Sequence, residues 1–183
     1  MGYAGGTSSD PTYENLSGAA ETVQVDFDPS QVTYEQLVED FFSFHDATVP
    51  AGSTSQYRSV IFVSGSEQEQ TARSVLQGAQ QTADGPILTQ IVSLGAGDFH
   101  LAESYHQKYI LQTDRTLFED LTAAYPSIWD LVNSTAAMRV NSYLDGYGTS
   151  EQVQADIDRL GLSADGQKVL LSMSHVGGGC PLP

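Results

Sequence analysis

The side chains of this chain most readily turned to redox or metal chemistry are one thiol, Cys180, and four imidazoles, His45, His100, His106 and His175. The histidine spacings match no compact ligand motif, so no metal is expected. A lone cysteine excludes an internal disulfide framework and any multi-cysteine metal site. It makes a reducing, cytoplasmic compartment the default. Cys180 follows Gly177-Gly178-Gly179, a tail that is flexible by composition. Such a setting offers nothing to lower a thiol pKa, so Cys180 is not expected to attack a substrate first.

The composition narrows the classes further. The 183 residues are 40% hydrophobic and 9% aromatic, which suits a soluble globular protein with a real core. Seven basic residues face 23 acidic ones, for a net charge of −16. That balance repels nucleic acid and anionic membranes, because phosphate binding needs clustered Lys and Arg. No apolar run is long enough for a membrane span, and no secretory or transit segment is visible.

Residues 1–21 read as turn and loop, rich in Gly, Ser, Thr and Pro. Thr22 to Phe27 alternates, with Val23, Val25 and Phe27 on one face, and predicts a half-buried strand. Thr33 with Gln36 makes a capping box for a helix that carries Leu37, Phe41 and Phe44 on one side. His45 closes that helix. A loop over 47–57 leads to a short apolar strand, Val60 to Val63. Ser66 with Glu69 caps a second helix with Ala72, Val75, Leu76 and Ala79 as its buried stripe. Ile87 to Leu94 predicts another strand, and a short helix is expected over 102–111.

From Thr116 onward the pattern is helical. Leu117, Leu121 and Ala124 form one stripe. Ser127 with Asp130 opens one helix carrying Ile128, Leu131, Ala136, Met138 and Val140. Gly146 and Gly148 break it, and Thr149 with Gln152 caps a helix bearing Val153, Ile157 and Leu160. A last helix runs from about Ser163 to Met173. The order predicts an α+β fold, a ferredoxin-like (split βαβ) sheet with helices, plus a helical C-terminal extension. The division expected is a core over 1–112 and an extension over 113–183.

Several short segments stand in a telling order: Gly2-Tyr3-Ala4-Gly5-Gly6, Asp10-Pro11-Thr12-Tyr13, His45-Asp46, Gln56-Tyr57-Arg58-Ser59 and Ala102-Glu103-Ser104-Tyr105-His106-Gln107. In that order they resemble the methionine sulfoxide reductase A family. The resemblance covers residues 2 to about 111 and continues more weakly to about 160. It implies thiol-dependent reduction of methionine sulfoxide in oxidised proteins, with no bound cofactor and with thioredoxin or a dithiol as reductant. It also implies roles. Glu21, in Gly18-Ala19-Ala20-Glu21, is the acid. Tyr13 and Tyr57 are the hydroxyl donors to the sulfoxide oxygen. His106 sits at the substrate-site rim, and Cys180 is the resolving thiol of a glycine-rich tail.

This sequence departs from the family at three places. The family histidine before the acid is replaced by Ala20. The aspartate the family carries shortly before its second tyrosine has no counterpart in 51–55. The family nucleophile belongs to a Gly-Cys-Phe-Trp segment upstream of the Gly-Tyr-Ala-Gly-Gly turn, where this chain has only Met1. The expectation is that the fold lacks its first strand and helix, that the chain alone is inactive, and that it folds poorly or aggregates with open strand edges. The rival is a non-catalytic module that recognises methionine sulfoxide or a protein partner.

Overall fold

A computed structural model describes residues 1–50 and 56–173. The chain divides into two compact units, Met1–Glu103 and Ser104–Pro183.

The first unit is mixed α/β. Its described strands are β1 (Gly2–Ala4), β2 (Ala20–Thr22), β3 (Val60–Val63), β4 (Gln90–Ser93) and β5 (Phe99–Leu101), with helices α1 (Tyr34–Ser43) and α2 (Ser66–Gln80). The strands sort into two small sheets. One has the order β2-β1-β5 with both pairs antiparallel, setting Tyr3 opposite both Glu21 and His100. The other is a parallel pair, β3 with β4, joined through α2 as a βαβ unit.

Strands β1 and β5 were not expected. Residues 1–21 read as loop because Gly2 and Gly5 look like turn punctuation. Yet Gly2 is required by packing: a Cβ there would sit 2.4 Å from both the Phe99 ring and the His100 carbonyl oxygen. The strand expected over Thr22 to Phe27 is corrected more sharply. Only Ala20–Thr22 pairs, and Val23 and Val25 are 71% and 56% exposed. Alternation alone does not make a strand; the backbone needs a neighbour, and among the described residues 23–27 has none.

Helix α1 follows the sequence closely. Thr33 accepts from the Gln36 amide at 3.1 Å, and the Gln36 side chain accepts from the Thr33 amide at 2.9 Å. Helix α2 starts differently: Gly65 is its N-cap, and Ser66 lies inside the first turn without capping. The expected stripe is kept, with Ala72 buried and Val75 packed against the same cluster as Val38, Ile61 and Val63.

The second unit is helical: α3 (Arg115–Ala124), α4 (Ile128–Asn133), α5 (Thr135–Leu144), α6 (Ser150–Asp156) and α7 (Ala164–Met173). The helix expected over 102–111 is replaced by two single 3-10 turns, Ser104–His106 and Leu111–Thr113. The helix expected from Ser127 is two helices. Ser134 ends α4 in extended backbone and its hydroxyl caps α5 through the Ala137 amide at 3.1 Å. That break rotates the stripe, so Ala137 and Val140 are buried while Met138 and Ile128 are exposed. Ala124 is exposed as well, at the end of α3.

The core of this unit gathers Leu111, Leu117, Leu121, Leu131, Val140, Ile157, Leu160 and Leu170. Beside it, the buried Asp156 carboxylate accepts from Tyr143 Oη at 2.6 Å, from Arg159 at 2.8 Å and from Arg139. The hydrogen bond from Tyr143, then the two guanidinium groups, hold Asp156 below the usual carboxylate range.

Candidate active site

The site begins with the turn after β1. Gly5 has φ +72°, and a Cβ there would lie 2.7 Å from the Phe62 ring and 3.4 Å from the Arg58 guanidinium. Only glycine fits both the backbone conformation and the space. The chain then runs through the Thr12–Asn15 turn, where Thr12 and Asn15 exchange backbone hydrogen bonds at 2.9 and 3.3 Å. This turn presents Tyr13.

A carboxylate at the far end of the unit fixes that turn. Glu103 accepts from the Tyr3 hydroxyl at 2.7 Å and from the Tyr13 backbone amide at 3.1 Å. Tyr3 is fully buried, so the ring that anchors Glu103 cannot swing away. Glu103 was passed over as a site residue on sequence. The available signal was its place in the Ala102–Gln107 segment; nothing local showed that its partners lie 90 and 100 residues back.

Strand β2 supplies Glu21. Its amide donates to the Gln56 carbonyl at 2.9 Å, and its carboxylate accepts from Gln56 Nε2 at 3.0 Å. Two bonds between the same residues place Tyr57, the next residue, beside Glu21. On the other side, Ser59 is tied down by His45. His45 Nδ1 donates to the Phe41 carbonyl at 2.7 Å, leaving Nε2 to accept from Ser59 Oγ at 2.9 Å in the neutral ring. Ser59 Oγ also lies 2.8 Å from Thr89 Oγ1. His45 is thus a brace between the end of α1 and the segment that carries Tyr57.

The outcome is a tyrosine pair. Tyr13 and Tyr57 hydroxyls are 3.4 Å apart, although 44 residues separate them, and the rings are 40% and 64% exposed. The hydrogen bond to Tyr13 pushes the Tyr57 pKa up, against an opposing contact from Gln56; burial and the Glu21 charge add to the rise. Tyr57 therefore keeps its proton at neutral pH. Two phenol hydroxyls beside a carboxyl group can hold an oxygen atom on which charge builds.

Of the residues expected in the site, the structure brings Tyr13, Glu21 and Tyr57 into one neighbourhood. His106 belongs to the other unit, in the turn Ser104–His106, where its ring packs 4.2 Å from Tyr105. Cys180 and His175 lie outside the described residues. Among the described residues, no group of three His, Cys, Asp or Glu could hold a metal ion. No helix among them is long and apolar enough to cross a membrane.

Comparison with known proteins places these features. The chain is 35% identical over 164 residues to the peptide methionine sulfoxide reductase of Drosophila melanogaster, covering 89% of this chain and 65% of that protein. It is 35% identical over 169 residues to peptide methionine sulfoxide reductase A5 of Oryza sativa, covering 87% of this chain and 65% of that one. It is 42% identical over 120 residues to peptide methionine sulfoxide reductase MsrA of Acidobacterium capsulatum, covering 60% and 75%. The chain thus spans just under two thirds of the length of the fly and rice relatives. The family model for peptide methionine sulfoxide reductase matches residues 1–125, from the Gly-Tyr-Ala-Gly-Gly turn through both tyrosines and the Glu103 segment, and the chain belongs to that family.

Proposed function

We propose that the protein acts in the thiol-dependent reduction of methionine sulfoxide in oxidised proteins, through the (S)-sulfoxide. The observation that carries this reading is the pair of phenol hydroxyls 3.4 Å apart next to Glu21. In the reaction a thiolate attacks the sulfoxide sulfur. The oxygen leaves the methionine with a proton from Glu21 and passes to the thiol sulfur as a sulfenic acid, so methionine sulfur is reduced and cysteine sulfur oxidised. A second thiol then displaces water to give a disulfide, and a dithiol, with thioredoxin as the natural candidate, reduces it.

These 183 residues supply the acid and the oxygen donors. Tyr13 and Tyr57 hold the oxygen while charge builds on it; Glu21 supplies the proton. Glu103 acts through Tyr13 as a positioning residue. Cys180 takes the resolving role, and the attacking thiol is not one of these 183 residues. In the complete arrangement the strands form one ferredoxin-like split βαβ sheet.

The test separates recognition from turnover. A peptide with methionine sulfoxide is expected to bind the 183-residue chain, with binding lost in a Tyr13→Phe/Tyr57→Phe variant, while dithiothreitol-dependent reduction stays at background. Turnover by this chain would overturn the assignment of the attacking thiol. Equal binding by the double variant would overturn the site itself.

A further inference from the structure

The two phenols of the first unit are held together by their surroundings. Tyr13 stands on a turn whose amide donates to Glu103, and Tyr57 follows Gln56, which is bonded to Glu21 through both backbone and side chain. The hydroxyls meet at 3.4 Å although 44 residues lie between them in sequence, and both rings reach solvent. In each ring an ortho carbon is bonded directly to the carbon that bears the hydroxyl. Hydroxyls in contact therefore bring an ortho carbon of one ring within a side-chain rotation of an ortho carbon of the other. Neither ring belongs to a buried apolar cluster among the described residues, so packing does not oppose that rotation.

Glu21 contributes a separate observation. A phenol that loses an electron becomes a strong acid, so it gives the electron up readily only where a base takes the proton. The Glu21 carboxylate lies close enough to Tyr57 for its charge to be felt there. The same negative charge that keeps Tyr57 protonated at rest favours the removal of an electron from it. The neighbourhood thus holds a readily oxidised phenol, a base for its proton and a second phenol in contact with the first.

We infer that Tyr13 and Tyr57 are a site of oxidative modification, joined ortho carbon to ortho carbon as dityrosine by one-electron oxidants of the peroxyl-radical class. Each phenol gives one electron to the oxidant and one proton, from Tyr57 to Glu21 and from Tyr13 to water. The two phenoxyl radicals pair their electrons in a carbon–carbon bond. The hydrogen on each joined carbon then moves to oxygen, and both rings become phenols again. The pair has lost two electrons and two protons, and the oxidant has gained the electrons. Exposure alone would spread oxidation over Tyr105, Tyr109 and Tyr147 as well. Proximity is what directs coupling within one molecule to Tyr13 and Tyr57. The cross-link forms independently of sulfoxide chemistry, but its consequence rests on the proposed function. One phenol of a joined pair ionises more readily, because its neighbour donates to the phenolate. A negative charge then stands beside Glu21 where the sulfoxide oxygen is to be held, and oxidation switches the site off.

The test uses the full 183-residue chain in dilute solution, oxidised by a brief flash with ruthenium tris-bipyridine and persulfate. A monomer is expected that has lost two hydrogens, shows dityrosine fluorescence and keeps its cross-link in dithiothreitol. Cleavage after glutamate should yield the peptide Met1–Glu14 joined to Asp40–Glu67. Tyr13→Phe and Tyr57→Phe should each lower the fluorescence of the monomer about fivefold or more. Glu21→Gln keeps an oxygen to accept from Gln56 but no charge, and should lower the yield about threefold. Undiminished fluorescence in either phenylalanine variant, cross-links mapped to other tyrosines, or dityrosine only between copies would overturn the inference. An unchanged yield in Glu21→Gln would overturn its part as proton acceptor. A methionine sulfoxide peptide should bind the untreated chain and not the cross-linked monomer. Equal binding by both would overturn the switch, whereas no binding by the untreated chain would count against the proposed function and not against the cross-link.

Discussion

The two units bury their apolar residues in opposite ways. The helical unit closes on itself, with eleven buried residues in a single cluster. The α/β unit divides its buried residues between two small clusters, four around Val38 and Val63 and three around Tyr3. It leaves Val23 and Val25 in solvent and a groove along a strand edge. A helix satisfies its own backbone, so a bundle needs only side-chain complementarity to be complete. A strand is complete only beside another strand. The unit that holds the tyrosine pair is therefore the unit whose cohesion depends on pairing.

That contrast can be broken from the strong side. Leu121→Ala removes a fully buried side chain from the middle of the helical cluster. It should cost about 2–5 kcal/mol in chemical denaturation followed by the ellipticity of the helices. A loss near zero would mean that the helical unit is as open as the other.

Asp156 offers a pH test of the same unit. Its folded pKa lies below the ordinary 3.8, so the unfolded chain binds the proton more readily. Its stabilisation is present above the ordinary value and is lost as pH falls through the folded pKa. The stability gap between wild type and Asp156→Asn should be widest at neutral pH and should close as the solution is acidified below about pH 4. A gap that widens on acidification would contradict the arrangement of Tyr143 and the two arginines around it.

In the α/β unit the effects should be smaller. Thr33→Ala deletes one half of the capping box of α1 and should cost about 1 kcal/mol. Val25→Thr should shift stability by less than about 0.5 kcal/mol, since the side chain is already in water. A loss of several kcal/mol at Val25 would show that the 23–27 segment is packed in solution, and the distinction between the units would fall.

What could be read from sequence follows the same division. Local signals held: both Thr-x-x-Gln capping boxes, at Thr33 and Thr149, are present with both of their hydrogen bonds. Val60 to Val63 is a strand as expected. Non-local pairing was not legible. Gly2–Ala4 is too short and too glycine-rich to announce a strand, and becomes one because Phe99–Leu101 and Ala20–Thr22 flank it. Thr22 to Phe27 fails for the converse reason. The break at Ser134 was hidden because α4 and α5 share a continuous helical pattern, and a serine inside it reads as surface. At the site, family likeness picked out Tyr13, Glu21 and Tyr57, whereas the brace from His45 and the grip of Glu103 needed three dimensions.

Glu103 also sets a timetable. Its bonds to Tyr3 and Tyr13 span 100 and 90 residues, and β1 pairs with β5 across a similar distance. A ribosome adding about 5–20 residues per second delivers Glu103 roughly 5–20 s after Tyr13. For that interval the amino-terminal segment has no carboxylate to seat it and half of its sheet is unmade. Nascent chains arrested before residue 103 clears the exit tunnel should leave the Tyr13 turn open to protease, and chains arrested beyond it should not. Residues 3 and 13 are thus made well before the partner that fixes them.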